Sequence, residues 1–232
     1  MNAFFNAIKG HPLELAFKTL AYYGLRRSEL LGMKWSSVDF INKTISVNHK
    51  VLVIERKILV SDKLKTESSS RTLPLIPEIE KQLLKHKAKI EKNRAYLGKA
   101  YKTKYSEFIF VNSIGELILP DTLSHSFGKV LKAHGLKRIR LHDLRHSCAS
   151  IMLARGIQIK QLQEWLGHSN YSTTADVYSH LDFSSKIQSA QTIASALAPN
   201  SHNRSELDVL NDKAKALGFN SVNELLNPLA EK

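Results

Sequence analysis

The strand-forming residues of this chain are concentrated in one early stretch, and this feature constrains the fold most. Residues 43–65, KTISVNHKVLVIERKILVSDKLK, alternate in polarity and are rich in Val and Ile, which predicts two antiparallel strands. Residues 68–76, SSSRTLPLI, predict a third strand closed by Pro77, and residues 106–112, SEFIFVN, predict a short buried strand. Because the strands are grouped early and helical patterns outnumber them, the sequence favours an α+β fold over alternating β-α-β units.

Helical spacing of apolar residues dominates the rest of the chain. Two helices are predicted at residues 13–24, ending at Gly24, and at residues 27–35. A strongly basic amphipathic helix and loop follow over residues 78–104. Beyond Pro120, further helices are predicted at residues 121–134, 142–155, 158–167 and 171–179, and in the tail up to about Leu197.

The charge of the chain is strongly positive and unevenly distributed. Its 34 Lys and Arg residues against 21 Asp and Glu residues give a formal net charge of +13. Residues 184–232 hold five basic and five acidic residues, so the first 183 residues carry the whole excess. Such an excess favours a polyanionic partner, most simply nucleic acid, although a basic surface that binds nothing is the alternative.

Cysteine content and hydropathy indicate in which cellular compartment the protein is expected. The single cysteine, Cys148, excludes a disulfide within the chain and lies among apolar residues, which favours a small core thiol over a nucleophile. The sequence contains neither an apolar run long enough to span a membrane nor a signal-peptide pattern at its start. We therefore expect a cytoplasmic protein without a membrane partner.

The stretch LHDLRHSCASIMLARG, residues 141–156, pairs a histidine with an arginine near a predicted helix start. His142 and Arg145 are three residues apart and share a helix face, at the end where anions are favoured. The alternative is an ordinary surface pair. His142 and His146 also have zinc-like spacing, but Arg145 between them disfavours a cation, so we predict no metal and a packing or supporting role for His146.

Two earlier stretches contain further cations. In YYGLRRSELLGMKW, residues 22–35, either Arg26 or Arg27 could reach outward, and Glu29 could orient that arginine or act as a helix N-terminal charge. In DKLKTESSSRTLPL, residues 62–75, the lysines could donate to a phosphate or form a solvated hairpin tip. Lys63 and Arg71 are predicted DNA contacts.

The stretch LGHSNYSTTADVYSHL, residues 166–181, contains two tyrosines. Gly167 is predicted to stop one helix and to present His168, while the following Ser and Thr residues can cap a helix that carries Tyr178. Taken alone, Tyr178 would be a half-buried aromatic residue, and Tyr171 is assigned to packing. Trp165, just before this stretch, is predicted to lie in the core.

Together these stretches resemble the tyrosine recombinases, the family of phage integrases and of Xer-type and Cre-type enzymes. The matching segments occur in the family's order and cover residues 13–181: GLRRSELLGMKW, LKTESSSRTLPL, LHDLRHSCASIMLARGI and LGHSNYSTTADVYSHL. The resemblance implies a mainly helical catalytic domain over residues 1–183, with a small antiparallel three-stranded sheet, followed by C-terminal tail helices over residues 184–232.

The resemblance also implies roles for single residues. Tyr178 attacks a DNA phosphodiester, giving a 3′-phosphotyrosyl enzyme and a free 5′-hydroxyl, without metal or other cofactor. Arg26 and Arg145 clamp the non-bridging oxygens, and His168 adds a hydrogen bond. The remaining three roles belong to His142, which accepts or positions the tyrosine proton, Lys65, which donates to the leaving oxygen, and Glu29, which supports the first arginine.

Two departures from the family pattern stand out. Tyr178 follows His168 by ten positions, one more than in many members. The family's usual N-terminal core-binding domain has no counterpart, so we expect a truncated chain, a fragment or an unusually short member.

The leading function implied is site-specific recombination for integration and excision of a phage or other mobile element, in a nucleoid-associated protein. The expected partners are double-stranded attachment sites, other protomers in a synaptic tetramer, and a directionality or bending factor. The tail helix either packs on a neighbouring protomer or folds back, and the region after Pro199 is a small interaction module or partly disordered. The alternatives are DNA relaxation of the type IB topoisomerase kind and a DNA-binding module without turnover.

Overall fold

In the computed structural model of the chain, the strands form two small antiparallel sheets. The structure describes residues 1–54, 57–61 and 70–167, and the single residues Ile193 and Lys215. The strands are β1 (Val38–Asp39), β2 (Thr44–Val47), β3 (Lys50–Ile54), β4 (Lys57–Ser61) and β5 (Arg71–Pro74). One sheet has the order β1-β2-β5 and the other pairs β3 with β4. The predicted α+β fold with a small three-stranded antiparallel sheet is confirmed.

The helices of the described residues agree with the apolar spacing. They are α1 (Asn2–Ala7), α2 (Glu14–Tyr23), α3 (Arg27–Leu31), α4 (Pro77–Leu97), α5 (Pro120–Ala133), α6 (Asp143–Ala154) and α7 (Ile159–Leu166). Helix α1 was not predicted. Pro77 begins α4 rather than closing β5, because proline suits the first helical position, where its missing N–H costs no hydrogen bond. The helices predicted at residues 171–179 and in the tail lie outside the described residues, and the predicted division between residues 183 and 184 stays a prediction.

The described residues of the stretch 43–65 form three strands rather than the two predicted. β2 belongs to the first sheet, whereas β3 pairs with β4 in the second. The backbone of His49 and Lys50 lies against Gly32 at the end of α3, where a Cβ would come within 2.6 Å of the Lys50 Cα. This contact with a helix end lies at the point where β2 has ended and β3 begins.

In the stretch at residues 106–112, residues 108–111 are buried as predicted, but they do not form a strand. Phe108 and Val111 make only isolated bridges, to Lys34 and Leu117 respectively. The Ile109 N–H donates to the Met33 carbonyl at 3.0 Å. This backbone group therefore finds its hydrogen-bond partner in a loop and not in a neighbouring β-strand.

Helix α2 lies at the centre of the described core and contacts α3, α4 and α6. Its last residue, Tyr23, is buried, donates its hydroxyl to the Pro74 carbonyl at 3.1 Å and accepts the Ile76 N–H at 2.8 Å. The Tyr23 ring stacks on Trp165, which confirms the packing role predicted for this tryptophan. Cys148 is also buried, and burial raises the pKa of its thiol to about 11, as expected of a core thiol.

No helix among the described residues is both long enough and apolar enough to cross a membrane.

Candidate active site

Two helix C-termini meet at the candidate site, and each ends in a glycine. Gly24 follows α2 with φ 61° and Gly167 follows α7 with φ 67°, a left-handed conformation that strains other residues. A Cβ on Gly24 would lie 2.5 Å from the Leu166 Cδ2 atom. Glycine at position 24 therefore allows both the turn and the close approach of α7 to α2.

Arg145, in the first turn of α6, bridges these two helix ends. Arg145 is only 3% exposed to solvent. Nη1 donates to the Gly24 carbonyl at 2.6 Å, and Nη2 donates to the Leu166 carbonyl at 2.9 Å. Because carbonyls at helix C-termini lack helical partners and carry partial negative charge, they compensate a buried guanidinium. The structure thus excludes the surface alternative for Arg145.

Arg26 approaches the same place from the residue preceding α3. Nη1 donates to Glu29 Oε1 at 2.6 Å, and the Arg26 side chain remains 38% exposed. The contacts of Nη1 and Nη2 with the Gly167 carbonyl are long, at 3.5 and 3.4 Å. Arg26 therefore presents a guanidinium that Glu29 orients and that solvent still reaches.

Arg27 is directed toward α5 instead. Its Nη1 donates to the Ser124 hydroxyl at 2.8 Å and to the Pro120 carbonyl at 3.2 Å. Of the two arginines that the sequence left open, Arg26 is the one that lies beside the end of α7.

Glu29 is a buried carboxylate that serves both of the roles considered for it. Oε2 accepts the backbone N–H of Arg26 at 3.0 Å, which caps α3, and also Nη2 of Arg71 at 3.1 Å. Burial alone would raise the pKa of Glu29, but the charge of Arg71 and the hydrogen bonds from Arg26 outweigh it and hold that pKa below its usual value. Glu29 therefore stays ionised between two arginines.

Arg71, in β5, is predicted to contact DNA, and in the structure its side chain bonds to other parts of the protein. Its side chain is 6% exposed and is paired with Glu29. Nε donates to the Trp165 carbonyl at 2.7 Å, near the end of α7. These partners suit a role in positioning α7, which we propose below in place of the predicted DNA contact.

His142 directly precedes α6 and is exposed. Partial desolvation of its ring lowers its pKa, and the neighbouring charges of His146 and Arg145 lower it further, so the imidazole is neutral near pH 7. The His142 and His146 rings pack edge to face with centroids 5.2 Å apart. In the described part of the chain, no group of three or more His, Cys, Asp or Glu side chains could hold a metal ion.

The structure thus brings Arg26, Glu29 and Arg145 together at the end of α7, with His142 near Arg145. The other predicted site residues, and the tyrosine assigned to packing, lie outside the described residues: Lys63, Lys65, His168, Tyr171 and Tyr178. Their roles stay predictions, although His168 directly follows Gly167 in the chain.

The phage integrase family model matches residues 1–185. A "Tyrosine recombinase XerC-like" protein of Caldanaerobacter subterraneus subsp. tengcongensis is 31% identical over 196 residues, covering 81% of this chain and 50% of that protein. The ICEBs1 integrase of Bacillus subtilis is 30% identical over 166 residues, covering 71% of this chain and 44% of that protein. The chain thus spans about half the length of these relatives.

Among solved structures, the Tn1549 transposon integrase in complex with a circular intermediate DNA is similar, with a TM-score of 0.69 and 26% identity. That match covers 83% of this chain and 63% of the integrase chain. The arginine-rich cluster, the fold and the family match over most of the sequence agree with one another. This chain belongs to the phage integrase family.

Proposed function

We propose that this chain provides the catalytic domain of a site-specific DNA recombinase that cleaves and rejoins strands through a 3′-phosphotyrosyl intermediate. The observation that carries the proposal is the convergence of Arg26 and Arg145 on the end of α7, which leads directly to His168 in the chain. Two guanidiniums at one place suit a phosphodiester whose non-bridging oxygens gain charge during in-line attack.

Arg26 and Arg145 have different roles in the proposed mechanism because they differ in burial. Arg145 is buried and fixed by two carbonyls, so it supplies a preorganised positive charge that needs little rearrangement when DNA binds. Arg26 is partly exposed, and its contacts with Gly167 are long, so its guanidinium can turn toward a phosphate while Glu29 keeps hold of one nitrogen. His168 adds a hydrogen bond to the same phosphate.

Proton transfer requires a base and an acid. A free tyrosine hydroxyl has a pKa of ~10, so the proposed attack by Tyr178 as a phenolate depends on stabilisation by cations of the site. The lowered pKa of His142 leaves a neutral imidazole that accepts or positions this proton. Lys65 protonates the departing 5′-oxygen, and the phosphotyrosyl bond retains the energy needed for a second 5′-hydroxyl to reverse the step.

The proposed partners are duplex attachment sites, bound by protomers that assemble into a synaptic tetramer with a directionality or bending factor. The relatives named for mobile elements, the ICEBs1 and Tn1549 integrases, support integration and excision of such an element. The basic excess in the first 183 residues supports a DNA partner, and we assign the protein to the cytoplasm, at the nucleoid.

A pool of nicked suicide duplexes with random sequence tests this function. The nick lets the short cleaved fragment diffuse away, so a covalent protein–DNA adduct accumulates and can be isolated on a denaturing gel in the presence of EDTA. Sequencing the trapped DNA should reveal a defined crossover sequence. Adducts without sequence preference would point to topoisomerase-like relaxation, and no adduct from the wild-type chain would overturn the proposed chemistry.

Replacing Lys65 with alanine should slow cleavage, because the 5′-oxygen would then leave without a proton donor. Enzyme proton donors contribute about 10²-fold or more to such steps. A 5′-bridging phosphorothioate, whose sulfur leaves without protonation, should restore the single-turnover rate in Lys65→Ala. The matched control is Lys63→Ala, which at saturating protein should cleave both substrates at the wild-type rate, because a lost DNA contact weakens binding and not the chemical step. If the phosphorothioate gives no rescue, Lys65 is not the proton donor.

A further inference from the structure

We propose that Arg71 is a positioning residue for cleavage: it fixes the end of α7, and with it the start of the segment that carries His168 and Tyr178, against Glu29. This inference rests on the proposed function and extends it to a residue outside the predicted catalytic set. In this role Arg71 acts through the protein groups that it holds, Glu29 and the end of α7.

Three consecutive carbonyls at the end of α7 each accept hydrogen bonds from a different arginine. Arg71 Nε donates to Trp165 at 2.7 Å, Arg145 Nη2 donates to Leu166 at 2.9 Å, and Arg26 contacts Gly167 at 3.4 and 3.5 Å. The last carbonyls of a helix have no partners within it, and cations are favoured at this end. The three arginines therefore set the position of this helix end from three different segments of the chain.

Arg71 connects this helix end to the arginine that faces solvent. Its Nη2 donates to Glu29 Oε2 at 3.1 Å, and Glu29 in turn accepts both the backbone N–H and the Nη1 of Arg26. A continuous series of hydrogen bonds thus runs from Trp165 through Arg71 and Glu29 to Arg26. A shift of α7 relative to Arg26 would break at least one bond in this series.

The absence of a side chain at Gly167 leaves room for the Arg71 guanidinium. A Cβ at this position would lie 2.7 Å from Arg71 Nη1 and 3.2 Å from its Cζ. The guanidinium therefore packs directly against the backbone of the residue that precedes His168. Any other residue at position 167 would displace either Arg71 or the helix end.

Arginine is needed here because its two bonds point in different directions. Nε donates to a carbonyl and Nη2 donates to a carboxylate, and the planar guanidinium fixes the angle between these two hydrogen bonds. A lysine keeps the charge but has a single nitrogen that cannot hold both partners at this spacing. Misplacing catalytic groups by about 1 Å can cost 10²-fold in rate, so the loss should fall on the chemical step.

The test compares Arg71→Lys with Arg94→Lys, a charge-preserving control at an exposed position on α4. At saturating suicide duplex, Arg71→Lys should form the covalent adduct about 100-fold more slowly than wild type. Its Kd for intact duplex should be unchanged, and Arg94→Lys should match wild type in both measurements. Added methylguanidinium should restore part of the rate to Arg71→Ala, because it can occupy the vacated site.

A second measurement does not depend on activity. Hydrogen exchange of the backbone amides at residues 165–168 should be faster in Arg71→Lys, whereas α2 should exchange as in wild type. If the Arg71 variants do not fold, Glu29→Gln, which weakens the same series, serves in both measurements. A wild-type rate with wild-type exchange would overturn the role of Arg71, whereas failure of the wild-type chain to form any adduct would overturn the proposed function instead.

Discussion

The Tyr178→Phe variant is expected to bind DNA and to form no covalent adduct. The substitution removes the one oxygen that the proposed mechanism joins to phosphorus, while it keeps the aromatic ring. The loss should therefore be complete, not partial as it would be for a group that only stabilises charge. The measurement is denaturing electrophoresis after incubation with the suicide duplex, together with a binding assay on intact DNA.

Tyr171→Phe is the matched control, since it removes a hydroxyl from the same stretch of sequence. This variant should form the adduct at the wild-type rate. An undiminished adduct in Tyr178→Phe would refute the assignment of the nucleophile, and a loss confined to Tyr171→Phe would transfer it to the other tyrosine.

Arg145→Lys is expected to show the second largest loss, a decrease in cleavage rate of about 10²-fold or more. In the wild-type chain the Arg145 guanidinium bridges two carbonyls: Nη1 donates to that of Gly24 and Nη2 to that of Leu166. An ammonium has one nitrogen and cannot hold both helix ends while also presenting a planar donor edge to a phosphate. The same change leaves a buried carbonyl less well satisfied, so the Tm should fall as well.

Single-turnover rates measured well below the Tm separate these two effects. Arg155→Lys is the matched control, because it makes the same substitution at an exposed position immediately after α6. This variant should alter neither the cleavage rate nor the Tm. Wild-type cleavage by Arg145→Lys would contradict the proposed clamp, even if the Tm were lower.

Much of the fold could be predicted because apolar periodicity is a local property. The helices α5, α6 and α7 each bury one side, and the spacing of their apolar residues predicts their bounds to within a few residues. The strands were harder to delimit, since their ends depend on contacts with other segments. The backbone of residues 49–50 meets Gly32, and Ile109 bonds to Met33, and neither contact leaves a local signature.

The candidate site was only partly predictable for the same reason. The spacing of His142 and Arg145 placed them at one helix start, but it did not indicate that Arg145 would be buried. Arg71 is predicted from the sequence to contact DNA. Its actual partners, Trp165 and Glu29, are 94 and 42 residues away in the chain.

The sequence by itself determined the residue types, their order and the family, because these depend on motifs of a few residues each. The tertiary structure alone decided which of Arg26 and Arg27 lies at the site, why Arg71 faces inward, and that three arginines meet the last carbonyls of α7. A hydrogen bond needs a donor and an acceptor within about 3 Å, at a suitable angle. For residues 121 apart, such as Gly24 and Arg145, only the packing of α2, α6 and α7 can provide that geometry.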